Sequence, residues 1–201
     1  MGGNEKRTRE KYQKILEASY ELMNTDSGLS GFTISQVCQK TGISKTTILK
    51  YFSSKDLLIQ SVLSRILDQN EKLSDEVYGN ESLPFDEKVK ALIHQMFIYF
   101  SKTNPQLHYD LKEYVKKNPT SKFAIRFEKF FENHEKNLAA LCEIGRQQGK
   151  IDPRYTNEFL VLYFRTIVHG ISHPDVYQHI DYTYADEWSK MTLSRLARID
   201  D

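Results

Sequence analysis

Residues 33–55 read TISQVCQKTGISKTTILKYFSSK, and this stretch decides the fold of the N-terminal part of the chain. Two short helical patterns flank a turn, and each pattern begins at its own capping residue. Thr33 with Gln36 has the spacing of a capping box, in which a hydroxyl and an amide satisfy each other's backbone N–H groups. Gly42 follows where a positive φ lets the chain reverse at no Cβ penalty. The stretch therefore predicts a helix-turn-helix.

The second helix of this pair has an apolar inner side and a polar outer side. Ser44 is placed to cap it, and Ile48 with Phe52 forms its inner face. Its outer side carries cationic and hydrogen-bonding groups: Lys45, Thr46, Thr47, Lys50 and Tyr51. Paired helices of this kind place the second helix in the major groove of DNA, where a threonine methyl also packs on thymine. We therefore predict that this outer side contacts DNA.

A third capping signal follows the pair, because Ser53 and Asp56 repeat the capping-box spacing and predict the start of another helix. Lys55 falls in the first turn of that helix, where its charge opposes the helix dipole. A DNA phosphate would remove this conflict, since phosphates accept hydrogen bonds from helix N-termini and from ammonium groups.

The whole run resembles the TetR family of bacterial transcriptional regulators. The matching features are a first helix containing residues 15–23, the helix start at Gly31–Thr33, the Thr-Gly-Ile-Ser turn at 41–44, and the segment at 51–57. The resemblance covers roughly residues 8–60. It implies an N-terminal three-helix DNA-binding domain, a long connecting helix, and a C-terminal helical domain for effector binding and dimerisation.

The remaining periodicity favours the same all-α fold, because i, i+3, i+4 spacing appears nearly everywhere and strand signals are almost absent. We predict a helix-turn-helix domain over residues 1–53 and a C-terminal domain over 54–201, which begins with a connecting helix at 54–78. Further helices are predicted at residues 8–24, 84–102, 105–117, 120–148, 155–171 and 183–199. Asp152 with Pro153, and Thr183 with Asp186, are placed as helix starts.

Two positions depart from the family pattern. Thr46 stands where the family often has Gly or Pro, and Leu49 stands where it usually has a Tyr that contacts a DNA phosphate. Leu49 is therefore not predicted to contact DNA. It also leaves open an alternative in which the protein is a helical ligand-binding or protein-interaction module without DNA binding.

The composition agrees with a small phosphate-binding surface at one end of the chain. The 28 Lys and Arg nearly balance the 27 Asp and Glu, but residues 1–60 carry nine of the bases against six of the acids. No apolar segment is long enough for a signal peptide or a membrane span, so we expect a soluble, cytoplasmic protein. Cys38 and Cys142 provide neither a disulfide framework nor zinc spacing.

Residues 159–171 are apolar on more than one side, so more than one side has to be covered. A two-fold dimer built as a four-helix bundle would cover the second side, and the family dimerises through its last two long helices. The predicted interface residues are Phe164, Ile167, Val168, Trp188, Met191 and Leu196.

The resemblance also implies a small-molecule effector pocket in the aromatic-rich C-terminal domain. Binding pockets combine an apolar lining with a few polar groups. The residues predicted to line it are His94, Phe97, Tyr99, Phe127, His134, Tyr163 and His169. Aromatic residues at helical spacing are also typical of an ordinary core, which is the competing interpretation.

Signatures of catalysis are not found. His169 and His173 have the i, i+4 spacing of zinc ligands, but Gly170 and Pro174 make that helix end irregular, so we expect no metal and no cofactor. A helical enzyme that uses the histidines of residues 169–179 is nevertheless a second alternative, and it predicts bound metal.

The leading hypothesis is a ligand-responsive repressor that binds a near-palindromic operator in double-stranded DNA as a homodimer. Thr46, Thr47 and Lys50 are predicted to contact base edges. The predicted phosphate contacts are Thr33, Ser44, Lys45, Tyr51 and Lys55.

Overall fold

Every regular element in the described part of the chain is helical. The computed structural model describes residues 3–197, apart from the side chains of residues 3, 4 and 174. Its helices are α1 (Gly3–Met23), α2 (Gly28–Gly31), α3 (Ile34–Thr41), α4 (Lys45–Phe52), α5 (Lys55–Tyr78), α6 (Phe85–Lys102), α7 (Pro105–Lys117), α8 (Lys122–Gln147), α9 (Asn157–Ile171), α10 (Pro174–Tyr177) and α11 (Ala185–Leu196), with a 3₁₀ turn at Tyr182–Tyr184. The predicted all-α fold is confirmed. No helix among these residues is both long and apolar enough to cross a membrane.

Several predicted helix limits need correction. Helix α1 begins five residues before Thr8, and the predicted loop at 25–31 contains the one-turn helix α2. The predicted last residue, Ile199, lies outside the described residues. Helix α11 begins at Ala185 rather than Thr183, because Thr183 donates its backbone N–H to the Asp181 carboxylate and so belongs to the 3₁₀ turn.

Two predicted caps were wrong besides the Thr183/Asp186 capping box, since no side chain caps α11. Ser53 ends α4 in the left-handed region, with φ 61°, and α5 is capped instead by Ser54, whose Oγ accepts from the Leu57 N–H at 3.1 Å. Asp152 does not start α9, because its buried carboxylate accepts hydrogen bonds from the backbone and guanidinium of Arg154. Helix α9 begins four residues later behind Thr156, whose Oγ1 accepts from the Phe159 N–H.

The chain divides into two compact units, which differ from the predicted division at residue 53. Unit 1 holds the residues up to Asp68 together with Asn104–Phe127, and unit 2 holds Gln69–Thr103 and the residues from Glu128 onward. Residues 104–127 join unit 1 because α7 packs against α2. The domain boundary predicted between residues 53 and 54 therefore stays a prediction about function. The compact units instead divide at residues 68, 103 and 127.

Unit 1 has an apolar core to which all its longer helices contribute. Ile15, Phe32, Val37, Ile48 and Leu58 are fully buried in it. Alongside this core the ring of Tyr12 stacks on that of Phe52, with centroids 4.9 Å apart. These contacts fix the α3–α4 pair on α1.

Unit 2 has a core in which α6 packs along α11. Phe85, Phe97, Leu160 and Leu196 are buried in one cluster, and Trp188 lies edge-on to Phe97 at 5.7 Å. A second cluster forms around Phe100, Ile171 and Tyr177. The Tyr177 hydroxyl donates to the Thr103 carbonyl at 2.7 Å, which satisfies the polar end of a buried ring.

Candidate nucleic-acid interface

The predicted helix-turn-helix is present with both of its predicted local signals. Thr33 Oγ1 accepts from the Gln36 N–H at 3.3 Å, and the Gln36 side chain accepts from the Thr33 N–H at 2.7 Å. Gly42 has φ 71° and donates its N–H to the Cys38 carbonyl at 2.8 Å. The capping box and the left-handed turn are therefore confirmed, and together they set the angle at which α4 leaves α3.

Helix α4 buries one side and exposes the other. Ile48 and Phe52 face the core of unit 1. Ser44 caps the helix, since its Oγ accepts from the Thr47 N–H at 3.2 Å and lies 2.9 Å from the Thr47 hydroxyl. Lys45, Thr46 and Lys50 are exposed, whereas Thr47, Leu49 and Tyr51 are half-buried.

The exposed lysines of α4 carry uncompensated charge. Within residues 3–197, no carboxylate pairs with the ammonium of Lys45 or of Lys50. Lys40 on α3 differs, because its Nζ lies 2.9 Å from Glu21 Oε2. The outer side of α4 is therefore a cationic surface with free hydrogen-bonding groups, which suits the phosphates and base edges of a duplex.

Lys55 has a defined position at the start of α5. Its Nζ lies 5.7 Å from the centroid of the buried Phe32 ring, within the range of a cation–π contact. The contact holds an exposed ammonium beside the helix N-terminus, where the helix dipole alone disfavours it. This geometry keeps the charge available to an anion approaching the N-terminus of α5.

Helix α1 contributes further residues beside α4, among them Arg9, one of the leading bases for which the sequence left a phosphate contact and a solvated tail both open. An open hollow of about 450 Å³ is lined by Glu5, Thr8, Arg9, Tyr12 and Tyr51. The ring of Tyr12 lies edge-on to that of Tyr51 at 6.2 Å, so α1 supports the end of α4. The i, i+3, i+4, i+7 spacing of the four α1 residues was the available signal, because it places them on one side of the helix.

The predicted effector-pocket residues belong to both units, with Phe127 in unit 1 and the others in unit 2, and they differ in burial. Phe97 is buried in the core of unit 2, Tyr163 lies against Phe159 and Phe164, and Phe127 lies in unit 1 against Phe123. These aromatics are therefore packed as core or as surface stacks.

The polar members of the predicted pocket are also dispersed. His94 Nε2 lies 3.0 Å from Asp186 Oδ1, Tyr99 lies edge-on to Phe100, and His169 is exposed. His134 differs from them, because it lines a cavity of about 210 Å³ in unit 2. Among the described side chains, no three potential metal ligands come together, and His173 instead lies 3.7 Å from Asp175.

The predicted dimer residues separate into exposed and internal groups. Val168 and Met191 are 37% and 54% exposed. Phe164, Ile167 and Trp188 pack against the core of unit 2, and Leu196 is only 2% exposed within it. Leu196 therefore needs correction, since its own unit already covers it.

Two large apolar residues that the interface prediction missed are exposed on α9. Phe159 is 50% exposed and Leu162 is 59% exposed. The apolar character of residues 159–171 was recognised in the sequence. Which of its members face inward depends on the packing of α9, and spacing alone does not determine this.

Comparison with known proteins places this geometry in a family context. Residues 15–62 match the family model described as bacterial regulatory proteins, tetR family. The uncharacterized HTH-type transcriptional regulator YvaF of Bacillus subtilis is 31% identical over 102 residues, which span 51% of this chain and about half, 53%, of that protein. The nucleoid occlusion factor SlmA of Haemophilus ducreyi is 24% identical over 194 residues, covering 92% of each chain.

A solved structure shares the fold over nearly the whole chain. It is a transcriptional regulator of the TetR family from Agrobacterium tumefaciens, with a TM-score of 0.73 and 21% identity. The match covers 95% of this chain and 100% of the other. The helical arrangement beyond residue 62 is therefore shared as well as the helix-turn-helix.

Proposed function

The chain belongs to the TetR family of bacterial regulatory proteins, and from this premise we propose that it is a ligand-responsive transcriptional repressor. It binds a near-palindromic operator as a homodimer in the cytoplasm. Each subunit places α4 in the major groove of one half-site. The half-sites lie about 34–36 Å apart, one helical turn, or at the spacing that the dimer sets.

The observation that carries the proposal is the outer side of α4. It is a capped, rigidly supported helix face with two unpaired lysines and an exposed threonine, on the element that a helix-turn-helix uses for recognition. An isolated soluble domain gains nothing from concentrating like charges there, whereas a polyanion neutralises them and releases its own counterions.

The contacts divide between base edges and phosphates. We assign Thr46, Thr47 and Lys50 to base edges, because they lie along the outer side of α4. Thr33, Ser44, Lys45, Tyr51 and Lys55 are assigned to phosphates, and Arg9 of α1 joins them through the hollow that it shares with Tyr51.

Dimerisation is supported by the exposed apolar side of α9. Phe159 and Leu162 leave large hydrocarbon groups in water, and a second copy of the same helix would cover them. A two-fold interface also accounts for a palindromic operator, since the symmetry of the protein is repeated in its site.

The test is operator selection from randomised duplex DNA, followed by binding measurements over a range of salt concentrations. Lys55→Ala is expected to weaken binding to all sequences and to reduce the salt slope by about one. Lys50→Ala is expected to relax the base preference at one or two positions of the operator, with a loss of about 1–3 kcal/mol of discrimination between bases. Lys129→Ala, an exposed lysine of α8, is the control and changes neither quantity.

Two results would contradict the proposal. If selection recovers no common sequence, DNA recognition fails, and the chain is better explained as a helical ligand-binding or interaction module. If the Lys50→Ala and Lys55→Ala variants lose their preference for the operator sequence to the same extent, the division between base and phosphate contacts is wrong.

A second candidate function follows from the full-length alignment with SlmA, which is named a nucleoid occlusion factor. With this function, the protein would bind DNA sites for nucleoid occlusion rather than to control a neighbouring gene. Chromatin immunoprecipitation in the host distinguishes the two, because a repressor concentrates at promoters and changes transcription there when it is deleted.

A further inference from the structure

Unit 2 contains a cavity whose walls are unlike a helix–helix core. One wall is formed by Glu71, Ser74, Asp75 and Tyr78 of α5, and the other by Phe130, Asn133, His134 and Asn137 of α8, with Lys136 beside them. Each wall has i, i+3, i+4, i+7 spacing, which places its residues on one side of the helix. Tyr78, Phe130 and His134 are half-buried in the floor of the cavity, whereas Asp75, Asn133 and Lys136 are exposed at its mouth.

Three rings form the aromatic part of the cavity. The ring of His134 stacks with that of Phe130 at 6.1 Å and meets that of Tyr78 edge-on at 5.6 Å. Tyr78 Oη lies 3.5 Å from His134 Nδ1. Burial lowers the pKa of His134 and raises the pKa of Tyr78 far above its usual range, so both rings are uncharged at neutral pH.

The formal charge of the lining is negative. Glu71 and Asp75 provide two carboxylates against the single ammonium of Lys136. The Asp75 carboxylate, the Ser74 hydroxyl and the Asn137 amide have no side-chain hydrogen-bond partner among residues 3–197. The exposed Asp75 therefore offers an unpaired carboxylate at the mouth of the cavity, beside the aromatic ring faces.

We propose that this cavity binds a small organic cation, an amine with an aromatic or aliphatic body, and that this cation is the effector of the protein. The ammonium pairs with Asp75, and the body lies against Phe130 and Tyr78, where ring faces also attract a cation. The volume of about 210 Å³ has room for a monocyclic amine. The role as effector rests on the proposed repressor function, whereas the binding itself does not.

The binding test uses three probes of similar shape on the full chain: 2-phenylethylamine, 2-phenylethanol and 3-phenylpropanoate. Isothermal titration calorimetry is expected to show the amine binding about tenfold more tightly than the alcohol, and the carboxylate binding weakest. Asp75→Asn is expected to remove the preference for the amine while it leaves alcohol binding unchanged. The control is Glu76→Gln, which neutralises the adjacent exposed carboxylate outside the cavity lining.

Several outcomes overturn the proposal. The amine fails to bind at millimolar concentration, the three probes bind equally, or Asp75→Asn binds the amine as the unmodified protein does. Unchanged alcohol binding by Asp75→Asn excludes misfolding as the cause of a loss.

A DNA-binding measurement with and without the amine separates this proposal from the proposed function. Binding of selected DNA without binding of the amine overturns only the cavity proposal. Binding of the amine at Asp75 by a protein that selects no DNA overturns only the repressor function. If both bind and the amine leaves DNA affinity unchanged, the role as effector is wrong.

Discussion

Units 1 and 2 each leave one helix face uncovered, and the two faces have opposite chemistry. In unit 1 the outer side of α4 is polar and cationic, with Lys45 and Lys50 exposed. In unit 2 the outer side of α9 is apolar, with Phe159 and Leu162 half exposed or more. A charged face is stable in water and gains from an anion, whereas an apolar face gains from leaving water. The difference supports the proposal of an operator contact for one face and a dimer contact for the other.

Unit 1 adds directional polar contacts to its apolar core. In unit 1 the residues at 104–114 are joined to the helix-turn-helix region by directional polar contacts. The Leu29 N–H donates to Asp110 Oδ2 at 2.7 Å, and the Tyr114 hydroxyl donates to Asp56 Oδ1 at 2.7 Å. Unit 2 combines the apolar clusters around Phe97 and Phe100 with hydrogen bonds such as that from the Tyr177 hydroxyl to the Thr103 carbonyl. Hydrogen bonds weaken when their angles change, so these contacts of unit 1 are more sensitive to small displacements than its apolar packing is.

The largest expected effect comes from placing a charge on the apolar face. Leu162→Asp buries an unpaired carboxylate in any α9-mediated dimer, which strongly destabilises that interface. The protein is expected to sediment as a monomer at micromolar concentration, with an apparent operator affinity lower by about a hundredfold or more because bivalent binding is lost.

The matched control for this change is Ile144→Asp, the same kind of substitution at an exposed apolar residue of α8. It is expected to leave the dimer intact, and thermal unfolding should show that both variants are folded. If the unmodified protein is already a monomer, or if Ile144→Asp dissociates it equally, the assignment of α9 to the interface is wrong.

The polar contacts of unit 1 are tested by two glycines with similar backbone conformations. Gly28 and Gly42 have φ of 51° and 71°, so alanine at either position is strained. A Cβ on Gly28 would collide with Asp110 Oδ2, whereas a Cβ on Gly42 has nothing within 4 Å. Gly42→Ala is therefore expected to lower the free energy of unfolding by about 1 kcal/mol and Gly28→Ala by about 2–3 kcal/mol. Urea unfolding measures both, and equal losses would mean that the close packing of α2 on α7 contributes nothing.

The next effect concerns the pH dependence of unit 1. Burial, with a smaller contribution from the charge of Lys112, lowers the pKa of His108 from 6.5 to about 3. Between these values the unfolded chain binds a proton that the folded protein does not, so the free energy of unfolding falls as the pH decreases below about 6.5. At pH 5 the contribution of this group is a loss of about 2 kcal/mol relative to pH 7.

The measurement is urea unfolding at pH 7 and pH 5 for the unmodified protein and for His108→Gln. The variant is expected to lose less stability than the unmodified protein over this interval, by about 2 kcal/mol. In unit 2, burial lowers the pKa of His134 as well, so His134→Gln is expected to change the dependence in the same direction. A His108→Gln variant with an unchanged pH dependence would show that folding does not lower the pKa of His108.

The sequence predicted those parts of unit 1 that depend on neighbouring residues. The Thr33 capping box and the left-handed Gly42 each involve residues within a few positions of each other. At that range the sequence spacing determines the local geometry. The contact between Leu29 and Asp110 joins residues 81 positions apart, and no periodicity signals it. For the same reason the predicted boundary at residue 53 could not include α7.

In unit 2 the sequence predicted apolar and aromatic positions but not what covers them. Phe97 and Leu196 were assigned to a pocket and an interface, and both are buried in the core. Conversely, the polar residues between Glu71 and Tyr78 resemble a solvated helix face in the sequence, although they line a cavity. Helical periodicity identifies one face of a helix, and only the packing of other helices decides what that face contacts.

The smallest expected effect is the loss of stability when a helix cap is removed, and it is tested on one capping residue from each unit. Ser44 of unit 1 and Thr156 of unit 2 both accept a hydrogen bond from the N–H three residues later, at 3.2 Å in each case. Ser44→Ala and Thr156→Ala are each expected to lower the free energy of unfolding by about 1 kcal/mol, since each leaves a helix N–H without its cap. Only Ser44→Ala is also expected to weaken operator binding, because Ser44 starts α4 and is assigned to a phosphate. Urea unfolding measures the stability of both variants, and DNA titration measures their operator affinity. If Thr156→Ala weakened DNA binding as much as Ser44→Ala, operator affinity would follow general stability rather than the surface of α4.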